Sequence, residues 1–147
     1  MSNFLGSEIC VLDAKGRLNV PSRMRRGLAP EANDTFVIVR GFDPCVNMYP
    51  LDEWARFSDE LRALKRGNDE ARAFISMLFD SAHETPVDSQ GRISLTDRLI
   101  ELAGLGKEAK LLGVMDHIEI WNPKRWEEQH RAIDTQKVDA LARKFLS

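Results

Sequence analysis

The sequence predicts an α+β fold built from two copies of one unit with flanking helices, and three observations carry that prediction. The pattern Asp-x-x-Gly-Arg occurs twice, as Asp13-Ala14-Lys15-Gly16-Arg17 and as Asp88-Ser89-Gln90-Gly91-Arg92, 75 positions apart in a chain of 147 residues. The match runs on beyond the motif. Arg23 falls on Arg98, and Leu18 and Val20 fall on Ile93 and Leu95. With the offset shortened by three, residues 41–49 lie over 113–121 and Trp54 lies over Trp126. A self-match of this kind marks a repeated supersecondary unit. Finally, each copy passes from a turn, through period-two apolar alternation, to a tryptophan that opens a helix.

Residues 8–12 are apolar and β-prone, and residues 17–20 alternate with period two, so the two segments predict a hairpin. The turn between them follows from Asp13 and Gly16. An aspartate carboxylate can accept from backbone N–H groups two residues on, and glycine tolerates the left-handed conformation that ends such a turn. A turn has no need of arginine after the glycine, so Arg17 calls for another explanation. Residues 21–27 predict a short helix with proline in its first turn and glycine at its end. Its counterpart, 96–103, has Thr96 as cap and Gly104 as stop.

Residues 36–39 and 46–49 predict a second hairpin around Gly41-Phe42-Asp43-Pro44, repeated by 110–114 and 117–121. Between the copies, Trp54, Phe57, Leu61 and Leu64, then Ala71, Phe74, Ile75, Leu78 and Phe79, recur at helical spacing. They predict helices at 51–66 and 69–82, broken at Gly67-Asn68 into an αα-hairpin. Asn122 and Pro123 start a last helix carrying Trp126. Past Asp134, Val138, Leu141, Ala142 and Phe145 make a weak amphipathic tail, expected to dock on a neighbour or to fray.

Composition bounds the function. With 43% apolar and 30% charged residues the chain reads as a soluble protein, and two units of about 50 residues are marginal alone, so fusion, strand exchange or oligomerisation must supply burial. The sequence has no signal-peptide pattern and no apolar run long enough to span a bilayer, so no membrane association is expected. Cys10 and Cys45 are too few and isolated for a metal site or disulfide framework and read as core residues in a reducing cytoplasm. The net charge of −2 is unusual for a nucleic-acid binder, but its distribution is uneven. Residues 13–26 hold Lys15, Arg17, Arg23, Arg25 and Arg26 against Asp13 alone, a balance of +4. Residues 88–101 hold Arg92 and Arg98 against Asp88, Asp97 and Glu101, a balance of −1.

The segment Leu12-Asp13-Ala14-Lys15-Gly16-Arg17-Leu18-Asn19-Val20-Pro21, its degenerate repeat at 87–96, the segment Met48-Tyr49-Pro50-Leu51-Asp52-Glu53-Trp54 and Glu119-Ile120-Trp121 together resemble the MraZ family of bacterial regulators. The resemblance covers almost the whole chain through Trp126. It implies two SpoVT/AbrB-like units at 7–54 and 83–126, a helical connector at 55–82 and a C-terminal helical tail at 127–147. It further implies a swapped-hairpin β-barrel whose halves interleave about a pseudo-twofold axis. Ring oligomers, association with the nucleoid, and repression through direct repeats upstream of the protein's own division and cell-wall gene cluster are also implied. The family's Asp-x-x-x-Arg signature maps onto Asp13 and Arg17, and onto Asp88 and Arg92. The second copy departs from the first at Gln90, Thr96 and Asp97, where the first has Lys15, Pro21 and Ser22.

Physical chemistry agrees with double-stranded DNA as the partner. Arginine offers a rigid fork that can read guanine or grip a phosphate, and Asp13 can hold the Arg17 guanidinium in place beforehand. Lys15 at the turn tip and Arg23, Arg25 and Arg26 on the next helix can neutralise phosphates. The first copy is therefore expected to carry the DNA charge, while the second mainly completes the barrel. No cofactor, no metal and no catalytic residues are expected: His83, His117 and His130 are dispersed, and no phosphate loop, nucleophile elbow or HExxH helix is present. The alternative is a ring-forming protein-interaction scaffold with only non-specific DNA affinity.

Overall fold

Two turn motifs and the apolar alternation around them order the elements in the computed structural model, which describes residues 1–65 and 67–146. The first half runs β1 (Phe4–Val11), β2 (Arg17–Asn19), α1 (Ser22–Arg25), a 3-10 turn at Pro30–Ala32, β3 (Thr35–Arg40) and β4 (Val46–Pro50). The connector is α2 (Leu51–Lys65) and α3 (Asp69–Ser81). The second half repeats the series as β5 (His83–Pro86), β6 (Arg92–Ser94), α4 (Asp97–Ala103), β7 (Glu108–Met115) and β8 (His117–Trp121), then α5 (Pro123–His130) and α6 (Thr135–Leu146). The expectations for Arg66 and Ser147 lie outside the described residues. Local chemistry sets the helix ends. Thr96 Oγ1 accepts from Leu99 N–H, Asn68 Oδ1 from Ala71 N–H, and Asn122 Oδ1 from Lys124 N–H, while Gly104 leaves α4 at φ +61°.

The halves are interleaved. A six-stranded antiparallel sheet has the order β1-β7-β8-β4-β3-β5, and a separate two-stranded ribbon pairs β2 with β6. Exchanging each strand for its counterpart (β1 for β5, β3 for β7, β4 for β8) turns the sheet order into its own reverse. The ribbon sits on this pseudo-twofold axis, with Leu18 opposite Ile93. Both of these side chains are buried in the main core, with Val20, Met24, Phe36, Ile38, Leu99, Leu111, Ile118 and Ile120.

The expected closed barrel is not what the structure contains. Among the described residues β1 and β5 are free edges of an open sheet, and the ribbon stands over the gap between them. On the β1 side it is joined through the Leu12–Leu18 bridge, beside which the Asp13 N–H donates to the Arg17 carbonyl. On the β5 side, Ser94 N–H donates to Thr85 Oγ1 and His83 Nε2 donates to the Ser94 carbonyl. The reason is strand length. The tight turns leave β2 and β6 three residues each, and β5 ends at Pro86, which has no N–H to continue a ladder.

The two halves differ in their cover. α2 and α3 pack on one side of β3 and β4, closing a second core of Val39, Tyr49, Leu61 and Leu78 with Trp54 and Phe57 against it. The two helices after β8 bury no residue of their own among the described residues. There α5 reaches β7 through Trp126, whose ring lies 3.4 Å from Lys110 Nζ, and Leu5, Ile9 and Val11 on β1 remain exposed.

Candidate nucleic-acid interface

Each turn is built by its aspartate. Asp13 Oδ1 accepts from the N–H groups of Lys15 (2.9 Å) and Arg17 (2.8 Å), and its Oδ2 accepts from Arg17 Nε at 2.8 Å. Asp88 repeats the set with Gln90 N–H, Arg92 N–H and Arg92 Nε, each at 2.9 Å. Gly16 (φ +77°) and Gly91 (φ +79°) take the left-handed conformation the turn requires. The backbone N–H bonds from Arg17 and Arg92, foremost, hold the Asp13 and Asp88 carboxyls below their ordinary range, with the guanidinium contact adding to the effect. Both acids therefore stay ionised and keep their arginines oriented. Nε is occupied in each arginine, and the Nη1 and Nη2 ends make no hydrogen bond among the described residues.

The turns also hold each other. The Leu95 N–H donates to the Gly16 carbonyl at 2.7 Å, and the Val20 N–H donates to the Gly91 carbonyl at 2.9 Å, extending the β2–β6 ladder at both ends. With its amide nitrogen turned toward the second motif, Asn19 donates to the carbonyls of Gln90 (3.0 Å) and Gly91 (3.2 Å). Because side chains alternate along a strand, Leu18 and Ile93 point into the core, and Arg17, Asn19, Arg92 and Ser94 share the outer face. Arg17 lies opposite Ser94 and Arg92 opposite Asn19, so the two arginines are diagonal neighbours, a relation that places residues about 7–8 Å apart. The product is a two-stranded ribbon with two pre-positioned guanidinium forks.

Charge from the first copy reaches the second turn. Arg25 donates through Nε to the Val20 carbonyl at 3.0 Å, and its guanidinium lies over Gly91, where an added Cβ would meet Cζ at 2.8 Å. The pseudo-equivalent neighbour of Gly16 is Ile100, whose Cδ1 would stand 3.4 Å from an added Cβ. The second turn, whose own segment carries a balance of −1, thus gains a cation beside it. The interleaving lends it an arginine from the other half.

The sequence profile of the family described as "MraZ protein, putative antitoxin-like" matches residues 3–76 and 78–147. The chain belongs to the MraZ family. A protein from Desulfitobacterium hafniense named transcriptional regulator MraZ is 42% identical over 139 residues, covering 95% of this chain and 92% of its own length. One of the same name from Moorella thermoacetica is 41% identical over 143 residues, covering 97% and 96%. A third, from Clostridium acetobutylicum, is 36% identical over 142 residues, again covering 97% and 96%. These relatives place the chain in a family of transcriptional regulators.

In this MraZ-family chain the eight residues singled out from sequence divide by position. Asp13, Lys15 and Arg17 lie on the first turn, and Asp88 and Arg92 on the second, with Arg25 beside it. Arg23 has another task. It donates from Nη1 to the Leu5 carbonyl (3.2 Å) and from Nη2 to the Ser7 carbonyl (2.8 Å), covering the outer edge of β1. Its counterpart Arg98 donates to the carbonyl and carboxylate of Asp80. Arg26 is exposed just past α1, and its guanidinium makes no hydrogen bond or ion pair among the described residues. Asn19 and Ser94 were not singled out, although period-two alternation from Arg17 and Arg92 puts them on the same face.

Away from the ribbon, burial pushes the Cys10 thiol up to about 11 and the Cys45 thiol up to about 12, so neither is a reactive thiolate. Among the described residues no group of His, Cys, Asp and Glu could hold a metal ion, and no helix is long and apolar enough to cross a membrane.

Proposed function

We propose that the protein is a sequence-specific, double-stranded-DNA-binding transcriptional regulator that uses the β2–β6 ribbon as its reading head. It acts in the cytoplasm at the nucleoid, as a repressor of its own division and cell-wall gene cluster, and engages promoter direct repeats as a ring oligomer. One observation carries the reading: Arg17 and Arg92, each fixed by its aspartate, project from one face of a two-stranded ribbon. A ribbon of this width fits the B-DNA major groove, and an arginine fork there pairs with guanine O6 and N7. Pre-orientation lowers the side-chain entropy lost on binding. Lys15, Arg25 and Arg26 neutralise flanking phosphates. Arg23 contributes by fixing β1 beneath the ribbon.

A single ribbon reaches few base pairs, so repetition supplies affinity. Identical faces around a ring can engage successive repeats with avidity gains of about 10²–10⁴ where geometry permits. Fluorescence anisotropy with duplex DNA from upstream of the gene, against a scrambled duplex, tests the reading over several salt concentrations. Preference for the upstream duplex with a linear fall of log K against log salt supports it. Salt-dependent binding without preference would favour the scaffold.

A further inference from the structure

The strand pairing sets a different charge at the foot of each turn. The Leu12 N–H donates to the Lys107 carbonyl at 2.9 Å, one step past the Val11–Glu108 pair, so Lys107 stands opposite Leu12 where the first turn begins. Leu12 is buried on the face of the sheet that carries the ribbon. Alternation therefore puts Lys107 on the ribbon side and Glu108 on the other. At the second turn the Val87 N–H donates to the Asp34 carbonyl at 2.8 Å, one step past the Pro86–Thr35 pair. Lys107 and Asp34 are thus counterparts under the pseudo-twofold axis, with opposite charges. Both side chains are exposed, and neither makes a hydrogen bond or ion pair among the described residues.

We propose that Lys107, from the second half, grips a DNA phosphate beside the first turn, and that Asp34 keeps phosphate away from the matching place beside the second. The assignment rests on the DNA reading above and refines it. Lys107 has room for a ligand. A groove of about 350 Å³ runs between Gly106-Lys107 and the segment from Val11 to Ala14, and a Cβ built on Gly106 would meet nothing within 4 Å. The Asp13 carboxylate in that groove is already taken by the N–H groups of Lys15 and Arg17 and by Arg17 Nε, so it does not neutralise the lysine. Lys15 at the tip and Lys107 at the foot make the first turn cationic. The second turn has Gln90 and Asp34 in the same two places, with Arg25 as the cation beside it. Contacts to phosphate position a protein on the duplex without reading bases, so both residues act on affinity and leave sequence preference to the arginine forks.

The test compares full-length wild type with Lys107→Gln, Asp34→Asn and a charge-matched control, Lys137→Gln on α6, by fluorescence anisotropy. Upstream and scrambled duplexes are both titrated, from about 50 to about 200 mM salt. Lys107→Gln should weaken both duplexes alike and shrink the fall in affinity across that range about threefold, the share of one phosphate contact. Asp34 lies at φ +48°, a conformation asparagine adopts readily, so Asp34→Asn removes the charge and leaves the backbone in place. This variant should bind both duplexes at least about twofold more tightly at low salt, where charge is least screened, a gain that misfolding does not produce. Lys137→Gln should match wild type. The proposal is overturned if Lys107→Gln keeps the wild-type salt slope or if Asp34→Asn binds no more tightly than wild type. It is also overturned if Lys137→Gln lowers the slope as much as Lys107→Gln, which would mark an effect of net charge alone. Each of these results leaves the DNA reading standing as long as wild-type binding falls with salt. A flat salt response of the wild-type protein overturns both.

Discussion

Arg25 of the first half lies over Gly91 in the turn of the second half, so the two repeats share one basic surface although only the first is basic in sequence. Replacing Arg25 by Ala should weaken DNA binding about equally for all sequences and reduce the salt slope by about one, the signature of a lost phosphate contact. Anisotropy at three salt concentrations reads both numbers. An unchanged slope would make Arg25 a purely structural residue.

The turn glycines should differ in tolerance. A Cβ at Gly16 would stand 2.8 Å from the Leu95 carbonyl oxygen, which is backbone, whereas at Gly91 it would meet the flexible Arg25 head. Each alanine bears the left-handed penalty of about 1–2 kcal/mol, and only Gly16→Ala must also move backbone. Gly16→Ala should therefore lower Tm by several degrees more than Gly91→Ala, as differential scanning calorimetry would measure.

Asp13 and Asp88 predict a response to acid. Their carboxyls are held below the ordinary value, mainly by the arginine backbone N–H groups, so they stabilise the fold above the unfolded pKa near 3.8. That contribution is lost as pH falls through the folded value. The double variant Asp13→Asn/Asp88→Asn should lose less stability than wild type between pH 5 and about 3, in urea melts followed by circular dichroism.

His117 predicts the opposite slope. Burial alone would lower its pKa, but Nε2 faces Glu119 Oε2 at 3.5 Å and Nδ1 faces Asp116 Oδ1 at 2.7 Å, and together they raise it above 6.5. The imidazolium therefore stabilises the fold fully below about 6.5, and the contribution fades as pH rises through the folded value. His117→Gln should flatten the stability profile from pH 6 to 8.

Much of this was legible in the sequence because turn chemistry is local. Asp13 and Gly16 dictate a turn within five residues, and the self-match transfers it to Asp88 and Gly91. The caps at Thr96 and Asn122 were readable for the same reason. What the sequence concealed was tertiary. Nothing in residues 21–27 says that Arg23 reaches the β1 carbonyls while Arg25 crosses to the other repeat, since both depend on how the halves interleave. The open sheet was hidden in the same way, because the barrel came from resemblance and the shortness of β2, β5 and β6 emerges only in the folded pairing. β1 also begins at Phe4, ahead of the predicted 8–12 segment, because β7 supplies partners through Met115.

On the proposed function, two aspartate-held arginines on one ribbon read DNA together. The most direct measurement compares wild type, Arg17→Ala and Arg92→Ala by anisotropy on the upstream and scrambled duplexes. Each variant should lose the preference for the upstream duplex by about 1–3 kcal/mol, the worth of a bidentate base contact, and keep the oligomeric mass of wild type. With Arg25 beside the second turn, the two losses should be similar in size, where sequence alone favoured Arg17. Wild-type preference in either variant, or equal affinity of the wild-type protein for both duplexes, would show that the paired arginines do not read DNA.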